Sequence, residues 1–263
     1  KGGKNMGHEF HNKKNQTTYT TRNADKSWME EIQKLVPVNH ISNAVDVGCG
    51  GGIYSKALSD MGVSFVTGVD YSEAILEGAK DNCNSYQNIT FKQGNALETG
   101  LKSNNYDLLL ERALIHHIDD LRACFKEGYR ILKHDGYYII QDRTPEDCLL
   151  EGSDRHIRGY FFEKFPRLID IETKRRYDSK YVMETLHRAG FRKIEEVQLW
   201  ETRNAYSHKD ELLHDLSKRT GRSILHELND KELQSLIRQI DKSLPTKTTI
   251  IEKDRWTIWK AVK

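Results

Sequence analysis

The apolar residues of this chain switch repeatedly between short strand-like runs and longer stretches with helical spacing. The strand-like runs predict seven strands, at 44–47, 63–69, 89–92, 106–110, 137–141, 194–200 and 255–262. Helical spacing is found at 24–36, 53–61, 72–80, 119–132, 179–189, 212–216 and 233–244. Strands that alternate with helices in this way indicate a largely parallel sheet covered on both faces.

This alternation divides the chain into segments. Residues 1–22 are polar and poor in aliphatic side chains, so we expect a flexible N-terminal segment there. Residues 23–142 hold five of the strands, and 143–178 interrupt the rhythm with a cluster of aromatic residues that predicts a lid. Residues 179–263 complete the sheet, with a helical insertion at 201–253 between two strands. The predicted fold is therefore an α/β, doubly wound seven-stranded sheet, its last strand antiparallel, with a helical cap built from the insertions.

Composition removes several classes of protein. The 263 residues include 41 basic and 39 acidic side chains, a balance of +2 that gives no electrostatic footprint for nucleic acid or an anionic membrane. No apolar run approaches the length of a membrane span, and the N-terminus shows no secretion pattern. The four cysteines lie far apart without zinc spacing, and the histidines are scattered. We therefore predict a cytoplasmic protein with reduced thiols and no metal site.

The most informative stretch is AVDVGCGGG at 44–52, where a strand runs directly into glycines and then a helix. Glycine allows the backbone to approach a ligand closely, and the N–H groups of the following helix suit an anionic group. Asp70 ends the next strand 24 residues after Asp46, where an acid can accept hydrogen bonds from ribose hydroxyls. Ser72 supplies the helix cap, which leaves Asp70 available for a ligand. A dinucleotide is disfavoured because Ile53 occupies the third glycine position of that fingerprint.

Over about residues 40–142 the chain resembles the class I S-adenosylmethionine-dependent methyltransferases, in particular those acting on small molecules. Five segments in order carry the resemblance: AVDVGCGGG (44–52), VTGVDYSEAIL (66–76), GNALE (94–98), YDLLLERALIHHI (106–118) and LKHDGYYII (132–140). Asn95 stands where the family commonly has Asp, and His134 and Asp135 replace its usual Pro-Gly. The resemblance implies S-adenosylmethionine as cofactor. It implies a set of cofactor-binding residues: Asp46, Gly48, Gly50, Asp70, Tyr71, Asn95, Ala96 and Glu111, with Tyr19 and Arg22 of the N-terminal segment closing over the methionyl end.

The chemistry that follows demands little of the protein, because the methyl group is already activated and the enzyme has to align an acceptor and exclude water. His116 and His117 follow the fourth strand, and either could deprotonate a hydroxyl, amine or thiol; either could equally pack or cap a helix. Glu111 ends a buried strand, so we expect it to meet the ligand, Arg112 or water.

The predicted function is direct in-line methyl transfer from S-adenosylmethionine to O, N or S of a small molecule. Alternatives are a methyltransferase for a tRNA side group, a non-catalytic S-adenosylmethionine-binding protein and, third, an NAD-dependent oxidoreductase. Membrane and nucleic-acid partners are disfavoured by the charge balance and by the lack of an RNA-binding module. We expect the helices of 201–253 to pack on the lid or on a second subunit, so a homodimer is one of the alternatives.

Overall fold

The computed structural model describes residues 23–245 and 249–263. Its elements, in chain order, are α1 (Lys26–Leu35), β1 (Asn43–Val47), α2 (Ile53–Asp60), β2 (Phe65–Asp70), α3 (Glu73–Asn82), β3 (Ile89–Gln93), β4 (Tyr106–Arg112), α4 (Leu121–Ile131), β5 (Leu132–Asp142), α5 (Pro145–Cys148), α6 (Gly159–Lys164), α7 (Arg167–Thr173), α8 (Ser179–Ala189), β6 (Arg192–Tyr206), α9 (Lys209–Ser217), α10 (Asp230–Ser243) and β7 (Ile250–Val262). Single 3₁₀ turns lie at Val38–His40, Ile115–His117 and Ser223–Glu227.

The seven strands form one sheet in the order β3-β2-β1-β4-β5-β7-β6. Strands β1 to β5 pair in parallel, and the last strand is antiparallel, which confirms the predicted fold class. β1 and β4 are buried along almost their whole length, as central strands covered on both faces should be. Right-handed crossovers from β1 to β2 and from β4 to β5 run in opposite directions, so α2 and α4 cover opposite faces. The order reverses between β1 and β4, which makes their carboxyl ends the switch point of the sheet.

The described residues divide into two compact units, the first made of 23–142, 180–197 and 258–263. Its core is built around large, fully buried side chains, among them Trp28, Phe125 and Tyr138. Capping follows the sequence: the Ser72 hydroxyl accepts from the backbone N–H of Ile75 at 3.4 Å, as predicted. Asp120 likewise caps α4, with its carboxylate 2.9 Å from the backbone nitrogen of Ala123.

The second unit is made of the described residues of 143–179, 198–245 and 249–257. Residues 143–178 hold the three short helices α5, α6 and α7, and an apolar core forms from α6, α9 and α10 with the turn at Ser223–Glu227. A buried ion pair lies beside that core, with Arg222 donating to Glu252 at 2.7 Å and both side chains 2% exposed. Within the described residues, no helix combines the length and the apolar character that crossing a bilayer requires.

Three strand boundaries differ from the sequence prediction. β6 runs on to Tyr206 and β7 begins already at Ile250, because most of the added residues are charged or polar and give no continuous apolar signature, although Glu201, Glu252 and Asp254 are buried. The KHDG stretch at 133–136 is not a turn before β5 but a bulge inside it. Tyr106 pairs with Leu132, and Leu108 pairs already with Tyr137, while Asp135 adopts a φ of +62° to absorb the excess.

Candidate functional site

The glycine-rich loop after β1 is built from three left-handed residues, with φ of +77° at Gly48, +52° at Gly50 and +78° at Gly52. A Cβ on Gly48 would lie 2.9 Å from the side chain of Leu114, so this glycine is needed for close packing. A Cβ on Gly50 would meet nothing within 4 Å. The loop is therefore packed at its first glycine and opens onto free space at Gly50, as a backbone cradle for a ligand must.

Asp70 lies at the carboxyl end of β2, and both of its carboxylate oxygens already accept backbone hydrogen bonds. Oδ2 accepts from Gly50 N–H and Oδ1 from Ser72 N–H, each at 3.0 Å. The Ser72 hydroxyl caps α3 as expected, but Asp70 has a structural role as well, because its carboxylate also fastens the glycine loop to β2. These two bonds fix the orientation of the carboxylate, and each oxygen keeps a second lone pair for a further donor.

The loop after β3 is held against the same strand end, since Gly94 N–H donates to the backbone oxygen of Asp70 at 3.0 Å. Asn95 is exposed, and its side-chain oxygen accepts from Leu97 N–H at 2.9 Å, while Ala96 is buried. Two large side chains beside this loop are exposed to solvent: Tyr71 is 68% and Leu97 is 38% exposed. The loops after β2 and β3 thus offer an apolar surface beside an oriented carboxylate.

Asp46 is buried at the end of β1 and accepts a hydrogen bond from the Ser55 hydroxyl of α2 at 2.7 Å. Burial, reinforced by the negative charge of Asp70, raises the pKa of Asp46 to about 7 despite that hydrogen bond. Asp46 thus lies next to the glycine loop, and its hydrogen bond with Ser55 ties the start of α2 to β1.

Glu111 is buried near the end of β4 and faces α4. Its carboxylate accepts from the Cys124 thiol of α4 at 3.4 Å, and the residue is 2% exposed. Burial raises the pKa of Glu111 to about 7. Successive strand residues point to opposite faces, so Glu111 and Arg112 lie on opposite sides of β4. Arg112 instead lies over the Tyr54 ring at 4.2 Å on the α2 side.

His116 and His117 lie in the 3₁₀ turn after β4, and the structure pairs the first of them with a residue that sequence reasoning missed. His116 Nδ1 is 2.8 Å from Oδ2 of Asp142, the last residue of β5. His117 is exposed, with its ring centroid 3.9 Å from that of His116. An acid directly after the apolar run 137–141, on the strand that neighbours β4, was the signal available in the sequence.

A second missed group links α1 to the same strands. The Trp28 indole donates to the side-chain oxygen of Gln141 at 2.7 Å, and the Trp28 ring meets that of Tyr54 edge-on at 4.8 Å. Tyr19 and Arg22 lie outside the described residues. No group of three His, Cys, Asp or Glu side chains suited to a metal ion occurs among the residues the structure describes.

Comparison with known proteins agrees with this geometry. Residues 45–140 match the family model described as "Methyltransferase domain". Residues 45–140 are therefore similar to a methyltransferase domain, and the chain has the fold of class I S-adenosylmethionine-dependent methyltransferases.

Among individual relatives, the chain is similar to demethylmenaquinone methyltransferase of Staphylococcus aureus (strain JH9), with 31% identity over 121 residues. The match covers 45% of this chain and 50% of that protein, so the chain spans about half the length of the curated relatives it matches.

Solved structures share the fold. A putative methyltransferase from an antibiotic biosynthesis pathway of Anabaena variabilis superimposes with a TM-score of 0.69 at 20% identity, covering 91% of this chain and 98% of that one. Phosphoethanolamine N-methyltransferase 2 of Haemonchus contortus, in complex with S-adenosyl-L-methionine, gives 0.56 at 19% identity over 90% of this chain and 52% of that one.

Proposed function

We propose that this chain transfers a methyl group from S-adenosylmethionine to an oxygen, nitrogen or sulfur atom of a small molecule. The observation that carries the proposal is the open backbone cradle at Gly50, fastened to the oriented carboxylate of Asp70. This cradle lies after β1, beside the switch point of the sheet, where open α/β sheets bind their ligands.

The residues present fit this cofactor. Asp70 would accept from the ribose hydroxyls, and the exposed Tyr71 would cover one face of the adenine, with Asn95 and Ala96 at its edge. At Gly50, where no side chain intervenes, the loop backbone would approach the methionyl part. The N–H groups of Gly48 and Gly50 already donate to Val69 and Asp70 and hold the loop in place. Asp46 and Glu111 are buried, so we propose for Asp46 a supporting role through Ser55, whereas a cofactor contact of Glu111 stays a prediction. So do the roles of Tyr19 and Arg22.

When bound, S-adenosylmethionine supplies an electrophilic methyl group on a positively charged sulfur. The tasks left to this chain are to hold the acceptor in line, keep water out and take up a proton where the acceptor carries one. His116 and His117 are the candidates for that last task. The names of two relatives, a demethylmenaquinone and a phosphoethanolamine methyltransferase, support a small-molecule acceptor.

Calorimetry with S-adenosylmethionine and with NADH tests the cofactor. We expect only the first to bind, and we expect Asp70→Ala to weaken that binding by about 1–3 kcal/mol through lost charged hydrogen bonds. Asp81→Ala removes an exposed acid from α3 and is the matched control. Binding of NADH, or unchanged affinity in a folded Asp70 variant, would contradict the proposal.

Formation of S-adenosylhomocysteine then tests catalysis, with a phenol, a thiol, a primary amine and bulk tRNA as acceptors. Transfer to a small molecule supports the proposal, whereas transfer to tRNA alone would favour the nucleic-acid alternative. Binding without any transfer would favour a non-catalytic role. The lid role of 143–178 and 201–253, a homodimer and a cytoplasmic location stay predictions.

A further inference from the structure

We infer that Asp142 positions His116 as a general base, so that the acceptor of this enzyme carries a dissociable proton on the atom that is methylated. This inference rests on the proposed function and narrows it to hydroxyl, thiol and protonated-amine acceptors. A thioether sulfur or a tertiary amine carries no such proton and would need no base.

The geometry holds the imidazole at two points. Asp142 is 1% exposed, and its Oδ2 lies 2.8 Å from Nδ1 of His116 and accepts the backbone N–H of the same residue at 3.2 Å. Oδ1 lies 3.1 Å from Nδ1. The ring cannot rotate about its side-chain torsions without breaking these contacts, and the backbone bond fixes the turn from which it projects.

This contact also selects the tautomer. An ionised carboxylate can only accept hydrogen bonds, so the proton of a neutral imidazole beside it sits on Nδ1. Nε2 then carries the lone pair that can take a proton from an acceptor. The arrangement is that of a base oriented by a third group, as general-base catalysis requires.

The location suits the role. His116 follows β4 at the switch point, and its side chain is 14% exposed, whereas Asp142 is enclosed. Leu114, two residues earlier, packs against Gly48 of the glycine loop. Ala113 adopts a φ of +52° and donates to the backbone oxygen of Gln141 at 2.8 Å, which anchors the turn to β5. A left-handed non-glycine residue is held only where the surroundings determine it, and such residues cluster at functional sites.

The proton and charge balance is complete. The acceptor atom forms its bond to the methyl carbon while the carbon–sulfur bond breaks and leaves its electron pair on sulfur. The proton of the acceptor moves to Nε2 of His116, so one positive charge disappears from sulfur and one appears on the imidazole. The Asp142 carboxylate offsets that charge, and the imidazolium later returns the proton to water.

The first test is ¹⁵N NMR of the full chain labelled at histidine, without cofactor. We expect His116 in the Nδ1–H form in the wild type, and a shift towards Nε2–H in Asp142→Ala, which has no acceptor there. Asp142→Asn should keep the Nδ1–H form through its amide oxygen. A wild-type His116 in the Nε2–H form would overturn the inference, and this measurement needs no variant to fold.

The second test separates positioning from binding, with kcat and the dissociation constant of S-adenosylmethionine measured together. We expect His116→Gln to lower kcat by about 100-fold or more and Asp142→Asn by about 10-fold. Cofactor affinity should stay within about twofold. A nitrophenol already ionised at the assay pH should be methylated by Asp142→Asn nearly as fast as by the wild type. A purely structural defect would slow both kinds of acceptor equally, and that result would overturn the inference.

The chain supplies its own matched control, because His134 Nδ1 also lies 2.8 Å from a carboxylate, that of Asp135, in the exposed bulge of β5. His134→Gln should leave kcat unchanged. Loss of turnover in His117→Gln but not in His116→Gln would overturn the inference, as would transfer to a thioether alone. Cofactor binding without transfer to any proton-bearing acceptor would overturn the general-base role of His116 but not the proposed cofactor-binding site. Failure to bind S-adenosylmethionine would overturn the proposed function, while NMR would still decide what Asp142 does to His116.

Discussion

Gly50→Ala separates the two things that this glycine does, which are to adopt a left-handed conformation and to leave space for a ligand. A Cβ there would meet no atom within 4 Å, so overpacking contributes nothing to the cost of folding. What remains is the φ of +52°, which costs an L-residue about 1–2 kcal/mol. The loss of flexibility in the unfolded chain returns about 0.4–1 kcal/mol. We therefore expect a net destabilisation of about 1 kcal/mol, or a fall in Tm of about 2–4 °C.

The effect on binding should be larger. The added methyl group fills the opening that would admit the cofactor to van der Waals contact with the backbone, and we expect affinity for S-adenosylmethionine to fall at least about tenfold, or about 1.4 kcal/mol. Calorimetry on protein shown by circular dichroism to be folded measures this directly.

Gly62→Ala is the matched control. Gly62 has a φ of +104°, and its Cβ would make ordinary contacts of 3.6 and 3.8 Å with Asn39, at the opposite edge of the sheet. Backbone strain should destabilise this variant at least as much, yet leave cofactor affinity unchanged. Binding of S-adenosylmethionine by Gly50→Ala within about twofold of the wild type, or an equal loss of affinity in both variants, would contradict this prediction.

Three further outcomes are expected. Asp70→Asn should weaken cofactor binding by about 1–3 kcal/mol in calorimetry, because the charge that holds the loop is lost. Burial raises the pKa of Asp46 to about 7, so the folded state keeps a proton that the unfolded chain has released above about pH 4. Stability should therefore fall as the pH rises from about 4 to 7, and Asp46→Asn should flatten that fall in urea titrations; an unchanged slope would contradict it. Arg222→Met should cost about 3 kcal/mol in thermal unfolding, at the low end for a broken buried pair, because Arg203 lies 3.6 Å from the stranded Glu252.

The sheet could be predicted because its signals are local. Each strand or helix is indicated by a few neighbouring residues: short apolar runs, the glycines at 48–52 and the cap at Ser72. The boundaries of β6 and β7 could not, because many of their added residues are charged, and a buried acid such as Glu252 depends on an arginine partner 30 positions away in the chain. The bulge at 133–136 was missed for a similar reason, since Asp-Gly is a turn signal whether or not the strand continues around it.

The site was predicted at the level of residue types rather than partners. The position of Asp70 follows from strand order, but its bond to Gly50 depends on how two loops meet in space. Glu111 and Arg112 are adjacent in sequence, and only the pleat of β4 decides that one faces Cys124 and the other Tyr54. The contact between His116 and Asp142 joins residues 26 positions apart. It can be predicted only once β4 and β5 are known to be neighbouring strands.

The strand order has a consequence for how the chain is made. β7 is the last strand in sequence, yet it lies between β5 and β6. During synthesis β6 emerges with no partner in the sheet until the residues of 250–262 leave the ribosome, after the whole of α9 and α10. The nascent sheet therefore stays open at β5 while those helices are made. The contacts of β7 with β5 span a long stretch of sequence, which favours slow closure of the sheet, and until then the unpaired edge of β5 is exposed to chaperones or to other chains.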